Sequence, residues 1–364
     1  MGEMGADVIK VESLDGDPAR HWGPFINGES KFFQGWNRNK RGLALNLLSE
    51  KGRELLYKLV ANADVVIENF RPGVTEKLKI DYASLKPINP RLIYCASTAF
   101  GPSGPYRLRP GYDPVLQSMS GTAMANIRFS GVVGISPVPF IDFQTAMLGL
   151  SGVIAALYHR ERTGEGQRVE TSLLQGALAS QTHCFCEPLD HPEDGPVGIY
   201  PYRLFETKDS QIFIAAPTNK FWSMLCEAIG AGEVHADDRF KTNRDRCNAQ
   251  EELTPKLNEF FQRRTTEEWE KLLVEKGVPC GAVRTFGEFL HDPQIEATGL
   301  NPVVENSKAG RMRMGGVAID FEMTPGEIQR GAPILGEHTR EILMQIGYTD
   351  EQISELAHAG VIQP

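Results

Sequence analysis

Residues 143–158 form an uncharged stretch of 16 residues, interrupted only by Gln144, Thr145 and Ser151 among its apolar positions. Within "PVPFIDFQTAMLGLSGVIAALYHRERTGEGQ" (137–167) that stretch predicts one long helix with a charged exit and a closing glycine turn. It falls short of the roughly 20 apolar residues that cross a bilayer. A core helix is therefore expected, apolar nearly all round because it is covered on most sides.

Elsewhere the pattern alternates between short apolar runs and helical periodicity. Asp7 to Glu12, "DVVIENF" (64–70) and "RLIYCAS" (91–97) read as strands. Ser49 can cap a helix whose Leu55, Leu56, Leu59 and Val60 share one face, and a shorter helical stretch surrounds Tyr82 to Leu85. Strand, helix, strand at this spacing gives βαβ units and an α/β fold with a mostly parallel, Rossmann-like sheet. Ligands of such sheets bind outside the carboxyl ends of the strands. Those ends carry "ESLDGDPARHW", "NFRPG" and "TAFGPSGPY".

Past Thr163 come "RVETSLL" and a helix to about Phe185, and then a proline-rich linker over 187–203. A small α/β domain follows over 204–304, with "IFIAAP" as a strand, "VPCGAVRT" as a strand or loop, "NKFWSMLCEAIG" as a helix and two further helices between them. The large domain then comprises 1–186 and 305–364. Its last part holds a strand-like "VAIDF" and a helix pair that returns to the first domain.

Composition is ordinary for a globular chain of 364 residues, 41% hydrophobic and 23% charged, so a packed core is expected. The net charge of −9 repels nucleic acid and anionic membrane, and any anionic ligand needs a local basic pocket. Cys95, Cys184, Cys186, Cys226, Cys247 and Cys280 are too scattered for a disulfide framework and suit the reducing cytoplasm.

Asp142, the only acid before Glu161 in the long helical segment, stands where the apolar run begins. It can be an N-cap, or a partly desolvated nucleophile able to attack an activated acyl group. Asp113 in "RPGYDPVLQS" likewise either caps its own helix or divides acid and base roles with a second carboxylate. "RTGEGQ" follows a helix and lacks the Lys-Ser/Thr of a phosphate loop. "HCFCEPLDH" gathers His183, Cys184, Cys186 and His191, but Cys-x-Cys is not zinc spacing, and no metal is expected. No Gly-x-Ser-x-Gly elbow is present. Arg20, Arg38, Lys40, Arg41, Arg71 and Lys77, all within the first 80 residues of an acidic chain, together suit an anionic ligand bearing phosphates.

"GADVIKVE", "GDPAR", "NRNKRGLALNL", "ADVVIENFRPGV", "INPRLIYCASTAFG", "RPGYDPVLQSMSG", "IAALYHRERTGEGQRVETSLL", "VPCGAV", "DPQIEATGL" and "LGEHTREIL" occur in this order along the chain. Together they resemble the class III CoA-transferases, the CaiB/BaiF family. The resemblance implies an interlocked homodimer, each subunit having a large Rossmann-like domain and a small one. It implies that Asp142 attacks the thioester of an acyl-CoA, and that CoA then passes to a small carboxylic acid through aspartyl anhydride and aspartyl thioester intermediates. Coenzyme A would be a substrate, with no tightly bound cofactor. Its contacts would fall on Arg20, Leu45, Asn69, Phe70, Val74, Lys77 and Leu78. Racemases of the family carry a histidine where this chain has Tyr112, so transfer is expected over racemisation. A noncatalytic CoA-binding subunit is the remaining alternative.

Two departures accompany the resemblance. The glycine-rich loop of formyl-CoA members has no counterpart in "IFIAAPTNKFW", which argues against oxalate-type substrates. Members also begin further upstream, with a strand and most of a helix whose last turn matches "MGEMG". The chain is therefore expected to be a fragment or to carry a misassigned start, and to be poorly stable or weakly active until that strand is restored. Asn219, Phe221 and the loop from Ala125 to Pro139 are expected to select the acid.

Overall fold

The computed structural model describes residues 1–127, 132–190 and 198–363. Its strands are β1 Val8–Glu12, β2 Phe25–Ile26, β3 Glu29–Ser30, β4 Lys40–Leu45, β5 Val65–Glu68, β6 Ile93–Thr98, β7 Arg168–Ser172, β8 Tyr202–Glu206, β9 Gln211–Ala215, β10 Cys280–Ala282, β11 Val303–Asn306, β12 Gly310–Arg313 and β13 Ile362–Gln363. The chain divides into two units, one of residues 1–120, 137–181 and 290–364, the other of 121–136 and 182–289. Residues 290–304, 121–136 and 182–186 thus fall on the opposite side of the division from that expected. The expected linker lies partly outside the described residues, at 191–197, and ends inside β8.

In the larger unit β5, β6 and β7 form a parallel sheet in that order, with Val65 opposite Ile93 and Cys95 opposite Val169. β6 is central, and its Ile93, Tyr94, Cys95 and Ala96 are all buried, as both faces of a parallel strand are covered. β1 pairs with β4 in parallel, and β13 closes antiparallel on β4, so the chain end does return to the first domain. The single parallel sheet expected from the alternation is instead two three-stranded sheets, with no ladder between β1 and β5 among the described residues. "VAIDF" forms no strand. The antiparallel pair before it, β11 with β12, satisfies that part of the chain instead, and Ile319 and Phe321 remain exposed.

The long helix spans Phe140–Thr163 and buries Ile141, Thr145, Gly149, Val153, Ala156 and Arg160, a stripe at helical spacing laid on β6 and β7. Its far end is tied below the sheet, where Arg160 Nη2 lies 2.9 Å from Asp64 Oδ1. Its first turns lie at the other end, where Thr145 Oγ1 donates to Ser172 O at 3.4 Å. The N-terminus of the helix therefore sits at the carboxyl ends of β5, β6 and β7.

The expectation that this helix is covered on most sides is corrected. Only 28% of its most apolar window is buried, and Phe143 (67%), Ile154 (53%) and Tyr158 (66%) are exposed along one stripe. Among the described residues it is also the one helix long and apolar enough to cross a membrane. Its all-round apolarity is not explained by burial within one chain.

The smaller unit is an antiparallel sheet, β10–β9–β8, packed on helices around Phe205, Ile212, Ile214, Trp222, Leu257, Phe261 and Trp269. Three helices stand where two were expected: Asn243–Asn248, Gln250–Phe261 and Thr266–Glu275. Capping boxes at Thr242 with Asp245 and at Thr265 with Glu268 start the first and the third of them.

Candidate active site

The long helix begins at Phe140, with Pro139 at the N-cap and no side-chain cap, so Asp142 is the third residue of the first turn. Its reading as an N-cap is overturned. Asp113 does not cap its own helix either, since Tyr112 holds that N-cap position for Asp113–Met119. Asp113 Oδ2 instead accepts the backbone N–H of Ile141 at 2.7 Å and of Asp142 at 3.0 Å, while its Oδ1 accepts from Gln117 Nε2 at 2.5 Å. Asp113 thus caps a helix 28 positions further along, from a side chain only 2% exposed. Spacing alone gives no signal of this partnership. The Asp113/Gln117 pair, four apart on one helix, is the one local hint.

Asp142 itself is exposed on the surface of the chain, yet enough protein surrounds its carboxyl for desolvation to act. That desolvation, with the negative charge of Asp113 added, pushes the Asp142 carboxyl up to about 6. A carboxylate poised near neutrality is more basic than an ordinary aspartate, and so a stronger nucleophile once ionised. Phe143 stands exposed beside it and supplies an apolar border.

Five of the expected CoA contacts are contiguous in space. Asn69 and Phe70 lie immediately beyond the carboxyl end of β5, and Val74, Lys77 and Leu78 follow on a single helical turn, Val74–Leu78, entered through Gly73 at φ 91°. Asn69 Nδ2 donates to Ser97 O at 2.5 Å, which fixes this loop to β6. Phe70 and Lys77 are exposed.

The other two are differently placed. Leu45 is 1% exposed, and its side chain belongs to a core with Leu43, Leu55 and Ile342. Arg20 is held by Glu12 through two hydrogen bonds at 2.7 and 2.8 Å, donates to Pro333 O at 3.0 Å, and stacks 3.7 Å from the Phe33 ring centre.

Most of the expected basic rim is likewise engaged. Arg38 pairs with Glu3, and Arg41 pairs with Asp7 and Glu341. Burial, with Lys10 nearby, brings Lys40 down to about 8. Of that rim, Arg71 and Lys77 are exposed and have no ion pair among the described residues.

Among the described residues no three His, Cys, Asp or Glu side chains form a metal site. His183 lies 3.3 Å from Cys184 Sγ, and His191 is outside the described residues. Asn219 accepts from the buried Arg246 at 3.0 Å, and Phe221 packs on the small-unit core. Within the loop expected to select the acid, 128–131 lie outside the described residues.

Comparison with known proteins finds relatives along the whole chain. The chain is 31% identical over its whole length to the succinyl-CoA:glutarate CoA-transferase of Homo sapiens, of which it covers 85%. It is 33% identical to the acetyl-CoA:oxalate CoA-transferase of Acetobacter aceti, over 92% of this chain and 87% of that protein. A CaiB/BaiF family protein from Brucella suis has the same fold, with a TM-score of 0.80 and 34% identity over 94% of this chain and 92% of that one. Residues 1–339 match CoA-transferase family III, and the chain belongs to that family of enzymes.

Proposed function

We propose that this enzyme moves CoA between an acyl-CoA and a small carboxylic acid through covalent intermediates on Asp142. A carboxylate oxygen of Asp142 attacks the thioester carbonyl, the C–S bond breaks, and CoA leaves as thiolate with the bonding pair. The thiolate attacks the aspartyl carbonyl of the resulting anhydride, expels the donor carboxylate and leaves an aspartyl-CoA thioester. The acceptor carboxylate attacks that thioester and releases thiolate again. Thiolate addition to the acceptor's acyl carbon yields the new CoA ester and restores Asp142. Each step has a good leaving group, and no proton is consumed overall.

The observation that carries this reading is the Asp142 carboxyl, raised to about 6 at the start of a helix that opens at the carboxyl ends of β5–β7. In this reading Asn69, Phe70, Val74, Lys77 and Leu78 take CoA, Lys77 at a phosphate and the apolar members along the adenine and pantetheine. Arg20 and Leu45, the other two expected contacts, are taken up by Glu12 and by the core around β4. Tyr112 rather than histidine precedes Asp113, which favours transfer over abstraction of an α proton.

A second copy of the chain is the proposed partner, seated on the open apolar stripe of the long helix at Phe143, Ile154 and Tyr158. The six free cysteines, two of them buried, support a place in the reducing cytoplasm.

The test is incubation with succinyl-CoA or acetyl-CoA and a panel of acids that includes glutarate and oxalate. New CoA esters are expected, with a hydroxylamine-sensitive adduct on Asp142 and loss of both in Asp142→Asn. Exchange of the α hydrogen alone would make it a racemase, and binding without turnover a noncatalytic subunit.

A further inference from the structure

A helix start leaves four backbone N–H groups without intrahelical partners, and an aspartate in the first turn ordinarily turns its carboxylate toward them. At the long helix Pro139 at the N-cap has no N–H, and the three that remain are already engaged. The N–H of Phe140 donates to Val138 O at 2.9 Å, and those of Ile141 and Asp142 to the carboxylate of Asp113. No described hydrogen bond reaches the carboxylate of Asp142.

We propose that Asp113 is the positioning residue of the transferase site: by occupying the N–H groups of Ile141 and Asp142, it keeps the nucleophile's carboxylate from folding back onto its own helix and holds it free to attack an acyl group. This rests on the assignment of Asp142 as nucleophile.

Three features make Asp113 suited to the task. Its side chain is buried, so no water competes for its oxygens. Gln117 fixes its second oxygen. Pro114 follows it and sets the start of its own helix.

Asp113 also contributes a charge. Backbone N–H donors lower a carboxyl pKa, and a neighbouring anion raises it. Asp113 does both in the same direction, withholding the donors and presenting the anion. The elements packed on the long helix carry Tyr94 and Cys95 on β6, Arg168 and Glu170 on β7, and no ionisable group on Leu173–Ser180. Of the charges facing Asp142, Asp113 is the one that acts on it.

Asp113→Asn and Asp113→Ala, each checked for cooperative melting, test the assignment through the pH profile of kcat/KM and the rate at which the Asp142 adduct forms. Asparagine keeps an acceptor oxygen but removes the charge. The acid limb is expected to move down by about one pH unit and acylation at pH 8 to slow about tenfold. Alanine releases both N–H groups, and about a hundredfold loss is expected. A folded Asp113→Asn that acylates at the wild-type rate with an unmoved acid limb overturns the proposal. So does a wild-type acid limb at or below pH 4, a measurement that needs no variant. Absence of any adduct on Asp142 in the wild type is a separate result, which removes the nucleophile assignment itself.

Discussion

Gly176 and Thr145 meet so closely that a Cβ on Gly176 would lie 2.2 Å from Thr145 Oγ1 and 3.2 Å from the carbonyl oxygen of Ile141. Thr145 is one turn beyond Asp142, and its hydroxyl donates to that same Ile141 carbonyl at 2.7 Å. The helix Leu173–Ser180 is thereby seated directly against the turn that carries Asp142, the proposed nucleophile. Gly176→Ala must push the two helices apart. A loss of about 1–3 kcal/mol in chemical denaturation is expected, together with a fall in kcat larger than any change in KM.

Raising a carboxyl pKa has a cost to the fold. The Asp142 carboxyl is held up to about 6 in the folded chain against about 3.9 when unfolded. The folded state therefore binds this proton more tightly, and its stability declines as pH rises through that window. Asp142→Asn is expected to melt above the wild type at pH 8 and level with it below about pH 4. Equal melting at both pH values would refute the raised pKa, whatever the effect on activity.

Lys77 is exposed on the short helix that follows the Phe70 loop and has no ion pair among the described residues. Lys77→Ala is expected to raise KM for acyl-CoA several-fold at low salt, with kcat little changed and the difference shrinking as ionic strength rises. A KM that stays fixed removes Lys77 from the CoA contact.

The open stripe on the long helix is expected to be covered by a second copy. Sedimentation of the wild type should give twice the chain mass, and Ile154→Glu, which sets a charge in the middle of that stripe, should yield monomer. A monomeric wild type at micromolar concentration would refute the pairing.

The strands of the larger unit are legible in the sequence because β5 and β6 are short apolar runs bounded by polar turns, and the periodic face of Glu50–Val60 is equally plain. Asp142 stands out as a lone acid beside an apolar run. What escapes is long-range pairing. Nothing local says that Asp113 caps a distant helix, that Arg20 is bound to Glu12, or that Leu45 is turned inward, because each depends on which strands become neighbours. "VAIDF" misleads for the same reason, since an apolar run becomes a strand only where a partner edge is available.

The long helix is also a mechanical link. From Asp142 to Arg160 it runs about 27 Å as one rod at 1.5 Å per residue, with the Arg160–Asp64 tether at one end and the proposed nucleophile at the other. Exchanging the tether for a shorter or longer side chain would slide the rod along the sheet and move the carboxylate without altering any group that touches a substrate. Selection could thus adjust where the reaction takes place from a position that no inspection of the pocket would reveal.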